Sequence, residues 1–271
     1  MIKQIAVHLT GSPEDAKRLE YAGRLASLLE AHITGLQVHQ LPSILSITDP
    51  SGSSFLQQLI DKSTKEADAV SGKLSELLSE FGLPADLRRL DVFPEDAGRT
   101  LADEVRVTDL FVGTQPYGDP ERSHAIEEAV LFRSGRPCLF LPAKFGKEAR
   151  LNSIVVGWKN APEAARAVFE ALPLLQKAAF VDVIVVSEES AVQGAGIDIG
   201  KYLSRHGVRA EIRAVPGRAE PAMVLLGEAR AITADLIVIG AYGHSRMREL
   251  ILGGTTRDVL KNSPIPVFMA H

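Results

Sequence analysis

Short apolar runs alternate along this chain with longer segments whose apolar residues return every three or four positions. Lys3–Leu9, Ile33–His39, Leu87–Val92, Leu110–Gly113 and Cys138–Leu141 are compact apolar runs and predict strands. Leu19, Ala22, Ala26 and Leu29 recur at helical spacing, with Ser12 a candidate cap and Pro13 at the first helical position. Val70, Leu74, Leu77 and Phe81 form one stripe of a long helix over 55–81, entered through the Ser- and Pro-containing stretch 41–54. Ala97, Leu101 and Val105 mark another helix, and a last one precedes Cys138. The later part of the chain repeats the alternation. Strands are expected near Ile154–Trp158, Val181–Val186, Val208–Val215, Leu236–Gly240 and Val267–Ala270. Helices are expected near Pro162–Gln176, Ile199–His206, Glu220–Ile232 and Thr255–Asn262. The strands are continuous apolar runs, as sheets covered on both faces require. Strand–helix alternation makes the sheets parallel, so the expected class is α/β with doubly wound sheets.

The repetition extends to residues. Residues 5–19, IAVHLTGSPEDAKRL, align with 154–168, IVVGWKNAPEAARAV, an offset of 149 from Ile5 to Ile154. TDLFVGT from Thr108 aligns with ADLIVIG from Ala234, and GRPCLFL from Gly135 with PIPVFMA from Pro264. Three matches in one order indicate a duplicated domain. The expected division is 1–146 and 147–271, with the junction in the polar stretch Lys144–Arg150. Such a length also fits two domains. No second-half counterpart of the long 55–81 helix is expected.

Composition narrows the classes. Charge balances to −4, hydrophobic residues make up 45% and charged residues 24%, the profile of a globular chain. A single cysteine excludes an internal disulfide, and Cys138 in its apolar run is expected to be a buried small hydrophobe. No apolar run reaches about 18 residues, and the first residues lack a signal-peptide layout. The mildly acidic balance disfavours nucleic acid. A cytoplasmic protein with neither membrane nor nucleic-acid partner is expected.

The densest candidate chemistry lies in 240–256, GAYGHSRMRELILGGTT, between a strand and a helix. Gly240 and Gly243 suit tight turns with positive φ. Gly253 and Gly254 stand where a helix begins, so its amides and dipole suit an anion. Thr255 and Thr256 add hydroxyls, and His244, Arg246 and Arg248 add donors. A phosphate-bearing ligand is the expectation.

The spacing Gly240–x2–Gly243–x9–Gly253, followed by a small residue, resembles the nucleotide-binding signature of universal stress proteins. The terminal Ser263-Pro-Ile-Pro-Val267 strand also looks like that family, and the resemblance covers the chain as a tandem pair. It implies two Rossmann-like domains of the adenine nucleotide alpha hydrolase type. It further implies that Gly240, Gly243, Gly253, Gly254 and Thr255 hold the phosphates of ATP with magnesium, with Thr256 assisting and Val186 meeting adenine through its backbone. ATP-binding members carry an Asp after the first strand. Lys159 and Asn160 stand there instead, a phosphate and a ribose partner in turn. Gly254 replaces the usual Ser. The family's pairing of final strands implies a homodimer, or a pseudo-dimer formed by Cys138–Leu141 with Val267–Ala270.

The first half lacks the signature. Its loop from Thr114 keeps only Gly118, and Pro116 and Pro120 remove donors. Glu127 and Glu128 at the last helix would repel phosphate, although Arg122 and His124 offer some other anion a contact. A degenerate partner domain is expected there. Gly194, Gly196 and Gly200 miss the dinucleotide spacing. The histidines, His32 and His39 among them, lack metal-ligand spacing, Trp158 suits core packing better than base stacking, and no GxSxG elbow marks a nucleophile. The expected function is a nucleotide-binding stress sensor, at most a weak ATPase. The alternative is a scaffold of the same fold that acts by dimerisation; an adenylating enzyme is disfavoured.

Overall fold

A computed structural model describes residues 1–42, 52–82, 84–117, 124–143, 150–187, 196–216, 220–241 and 254–271. The junction 144–149 lies outside them. Ten strands and eight helices alternate among the described residues: β1 (Gln4–Leu9), α1 (Glu14–Leu29), β2 (His32–Gln40), α2 (Gly52–Glu80), β3 (Ala85–Val92), α3 (Ala97–Val105), β4 (Leu110–Thr114), α4 (Ala125–Arg133), β5 (Cys138–Leu141), then β6 (Ser153–Trp158), α5 (Pro162–Leu175), β7 (Phe180–Ser187), α6 (Ile197–Arg205), β8 (Ala210–Pro216), α7 (Pro221–Ala231), β9 (Leu236–Gly240), α8 (Gly254–Asn262) and β10 (Val267–Ala270).

All ten strands join one sheet in the order β3-β2-β1-β4-β5-β10-β9-β6-β7-β8. Pairing is parallel except at the centre, where β5 and β10 run antiparallel with Phe140 opposite Val267, Leu139 opposite Phe268 and Cys138 opposite Met269. The two strands expected to pair within the chain do so. The sheet is therefore two five-strand units back to back, each reversing its order beside its first strand, at β1/β4 and β6/β9.

Alternation along each strand divides the core in two. Ile5, Val7, Ile154, Val156, Val183 and Val185 face one layer with α1, α2, α5 and α6. Ala6, Val155, Ile184, Ile237 and Val267 face the other, with α3, α4, α7 and α8. Both faces are covered, which is why the strands read as unbroken apolar runs. Cys138 is fully buried, and burial, reinforced by the charge of Glu127, pushes its thiol far above the ordinary range. Trp158 packs against the first layer.

Three local expectations are corrected. Pro13, not Ser12, occupies the cap position of α1, while the Ser12 hydroxyl accepts from Thr10 at 2.8 Å instead of capping. The long helix does have a counterpart: α6 fills the same place between β7 and β8 with 9 residues against the 29 of α2. Gly240 has no positive φ. It ends β9 in register with Ala270, and a Cβ there would lie 2.6 Å from the Ala164 amide nitrogen. Its glycine is required because the start of α5 crosses the strand end at backbone contact.

Candidate functional site

Doubly wound sheets receive ligands beyond the carboxyl ends of their strands, at the reversal of strand order. This chain has two such places, and their contents differ.

At β1/β4 the crevice is filled by the chain's own charges. Asp15 and Arg18, both on the first turns of α1 and almost fully buried, form an ion pair. Arg18 also donates to Thr114 Oγ1 and Thr10 Oγ1, each at 2.9 Å. The Asp15 carboxylate accepts the amides of Thr10 at 3.1 Å and Gly11 at 2.6 Å. Beside it, His8 Nδ1 meets Glu127 Oε1 at 3.1 Å, with both side chains buried. Burial acts to raise the Glu127 carboxyl, but the hydrogen bond and charge of His8, aided by Arg18, outweigh it and hold the group below the ordinary carboxylate range. Glu127 and Glu128 do lie in the first turn of α4, and the Tyr117 hydroxyl donates to Glu128. Arg122, Gly118 and Pro120 lie outside the described residues, while the His124 ring lies tilted against Tyr117, with the ring centres 5.5 Å apart.

The equivalent positions at β6/β9 carry no charge in the crevice. The offset of 149 sets Gly157 against His8, Ala164 against Asp15 and Ala167 against Arg18. Helices α4 and α8 align from Ala125 to Gly254, which sets Thr256 against Glu127. The amides equivalent to those of Thr10 and Gly11 belong to Lys159 and Asn160. Among the described residues no carboxylate takes them, because the position of Asp15 is an alanine. Both residues are exposed at the end of β6.

The other expected site residues that are described cluster on this edge. Gly240 ends β9, beside β6. Gly254 opens α8, followed by half-buried Thr255 and buried Thr256. Among the described residues, a Cβ on Gly254 would meet nothing nearer than Asp258 Oδ2 at 3.7 Å. Val186 lies near the end of β7. Its side chain packs into the second core layer, and the β6–β7 ladder stops one residue short of it, at Trp158 and Val185. Gly243, Gly253, His244, Arg246 and Arg248 lie outside the described residues. Gly196, from the rejected dinucleotide pattern, caps α6 with φ +85° and sits on Ile212.

Sequence reasoning missed the buried His8–Glu127 and Asp15–Arg18 pairs. The signal was available in the repeat: four charged or titratable residues in one half stand where the other has Gly, Ala, Ala and Thr. Among the described residues no group of three or more metal-ligating side chains forms, and no helix is long and apolar enough to cross a membrane.

The family model of the universal stress protein family matches residues 151–271. A universal stress protein of Synechocystis sp. is 30% identical over 148 residues, which cover 52% of this chain and 48% of that protein. The chain thus spans about half the length of that relative. Among solved structures, a universal stress protein from Archaeoglobus fulgidus superposes with a TM-score of 0.77 at 19% identity, covering 98% of this chain and 97% of that one. A putative universal stress protein from Pseudomonas aeruginosa gives 0.59 at 16% identity, covering 99% and 93%. These two likenesses carry the Rossmann-like fold across both halves. The C-terminal half of this chain, residues 151–271, thus carries a domain of the universal stress protein family.

Proposed function

We propose that the C-terminal half binds ATP or a related adenine nucleotide at the edge made by β7, β6, β9 and the start of α8. The observation that carries this is the pair of amides at Lys159 and Asn160. Their N-terminal equivalents are satisfied by the Asp15 carboxylate, whereas these two have no such acceptor among the described residues. A phosphate oxygen supplies it, helped by the amides and dipole at Gly254, Thr255 and Thr256. The Lys159 ammonium adds a point charge and the Asn160 amide suits ribose hydroxyls. Val186 offers backbone to adenine, and Gly243 and Gly253 complete the loop implied by the family. Magnesium, when bound with the nucleotide, neutralises phosphate charge and keeps water as most of its ligands.

In this reading the chain is a tandem sensor, with domains 1–146 and 147–271 and a first domain whose site has closed on itself. The β5–β10 junction makes it a pseudo-dimer within one chain, acting in the cytoplasm, and nothing in the site is assigned as a catalytic base. A scaffold without nucleotide is the second reading, favoured by Lys159-Asn160 in place of the family's Asp.

Native mass spectrometry should find an adenine nucleotide copurifying, and calorimetry with ATP and magnesium should give saturable heat. Ala164→Asp places the N-terminal half's own carboxylate against the Lys159 and Asn160 amides, and the heat should vanish. Absence of binding by the nucleotide-free native chain sinks the nucleotide reading and leaves the scaffold.

A further inference from the structure

At the far end of the first unit, three side chains from three elements line up. His39 near the end of β2 stands in register with Asp91 near the end of β3. Asp91 Oδ1 lies 2.6 Å from His39 Nδ1, and Ser63 Oγ, from α2, lies 2.7 Å from His39 Nε2. An ionised carboxylate only accepts, so Nδ1 carries the proton and Nε2 presents its lone pair to the Ser63 hydroxyl. Arg89 Nε, 3.1 Å from Asp91, reinforces the carboxylate's charge. The imidazole is 11% exposed, and Ser63 is part-buried. Attachment of α2 to the sheet does not require this chain of contacts. Gln37 already holds α2 through the Ser71 hydroxyl at 2.6 Å and the Ala67 carbonyl at 3.3 Å.

We propose that Ser63 is a nucleophile, activated by His39 and oriented through Asp91, that accepts an acyl group from small activated esters. Ser63 Oγ attacks the carbonyl carbon as its proton passes to His39 Nε2. The bond to the leaving alcohol breaks, and His39 returns the proton to that alcohol. Water then repeats the sequence on acyl-Ser63, releasing the acid and restoring the hydroxyl. General-base assistance contributes roughly 10²–10⁴ in rate. The Ser63 amide, however, lies inside the helix ladder of α2 and offers no donor to the oxyanion. Loss of one oxyanion donor costs about 10²–10³ in both steps; the weakly basic leaving group of an activated ester keeps acylation ahead of the slowed deacylation, so the acyl-enzyme accumulates.

The test uses the full chain with p-nitrophenyl acetate, following nitrophenolate release, intact mass and peptide mapping. About one acetyl per chain should appear, at Ser63, with an initial burst. Ser63→Ala should abolish the burst while circular dichroism and ATP heat stay unchanged, which separates this site from the nucleotide edge. His39→Gln should slow labelling about 100-fold or more, and Asp91→Asn should slow it by mis-setting the imidazole tautomer. Acetyl found only on lysines such as Lys62 or Lys65, or a burst that survives in Ser63→Ala, overturns the proposal. Should Ser63→Ala fail to fold, the mapped position of the acetyl on the unsubstituted chain decides the matter alone.

Discussion

The crevices at β1/β4 and β6/β9 are the same place in two copies of one plan, and they have opposite chemistry. In the first, the acceptor for the loop amides is a side chain, Asp15, neutralised by Arg18. In the second, alanines replace both, and the corresponding amides belong to exposed Lys159 and Asn160. The first crevice thus supplies from within the anion that its loop amides take. That anion requires a compensating cation, because a buried carboxylate alone is costly.

The largest test of this contrast is Asp15→Ala. It strands the Arg18 guanidinium in the core and should cost about 3–5 kcal/mol in urea unfolding. Asp15→Ala with Arg18→Ala, which copies Ala164 and Ala167, should recover much of that loss; a double variant as unstable as the single one would contradict the equivalence. Next in size, Lys159→Glu should weaken ATP binding about tenfold or more, roughly 1.4 kcal/mol, read by calorimetry. Because Lys159 is exposed, its unfolding free energy should move by less than about 0.5 kcal/mol.

Glu127→Gln gives a smaller, pH-dependent effect. The Glu127 carboxyl is held below its ordinary 4.5, so its contribution is present above that value and fades as pH falls through the lower folded one. The variant should be less stable than the native chain near neutral pH, and the gap should close in acid. Denaturant midpoints across pH check this, and a gap that widens in acid would reverse the assigned direction. Smallest is Gly254→Ser. With 3.7 Å of clearance it should leave stability within about 0.5 kcal/mol, while the added hydroxyl tightens nucleotide binding slightly.

Much of the architecture was legible in the chain. The strands at Cys138–Leu141, Leu236–Gly240 and Val267–Ala270 stand at the residues their apolar runs indicate, because a strand buried on both faces leaves no polar residue to blur its limits. Edge elements were less legible. Helix α2 begins three residues before the expected start at Phe55 and ends one short of Phe81, and α6 starts two residues before Ile199, on the capping Gly196. Period alone does not register a cap. Of the candidate edge, the strand-end positions of Lys159, Val186 and Gly240 follow from the strand pattern. The role of Gly240 did not, because the need for glycine comes from α5, 77 residues earlier in sequence at Glu163. The Ser63–His39–Asp91 alignment was equally hidden, since strand register and one helix face create it from residues up to 52 positions apart.

The antiparallel seam of β5 and β10 sets Phe140 against Val267 and Cys138 against Met269. Identical chains meeting across a two-fold axis must carry every substitution twice, once on each side of the contact. Covalent fusion lifts that restriction, so a bulky ring can be answered by a short branched partner. The same freedom lets one crevice hold Asp15 and Arg18 while its counterpart holds Ala164 and Ala167, a difference that a symmetric pair has no means to encode.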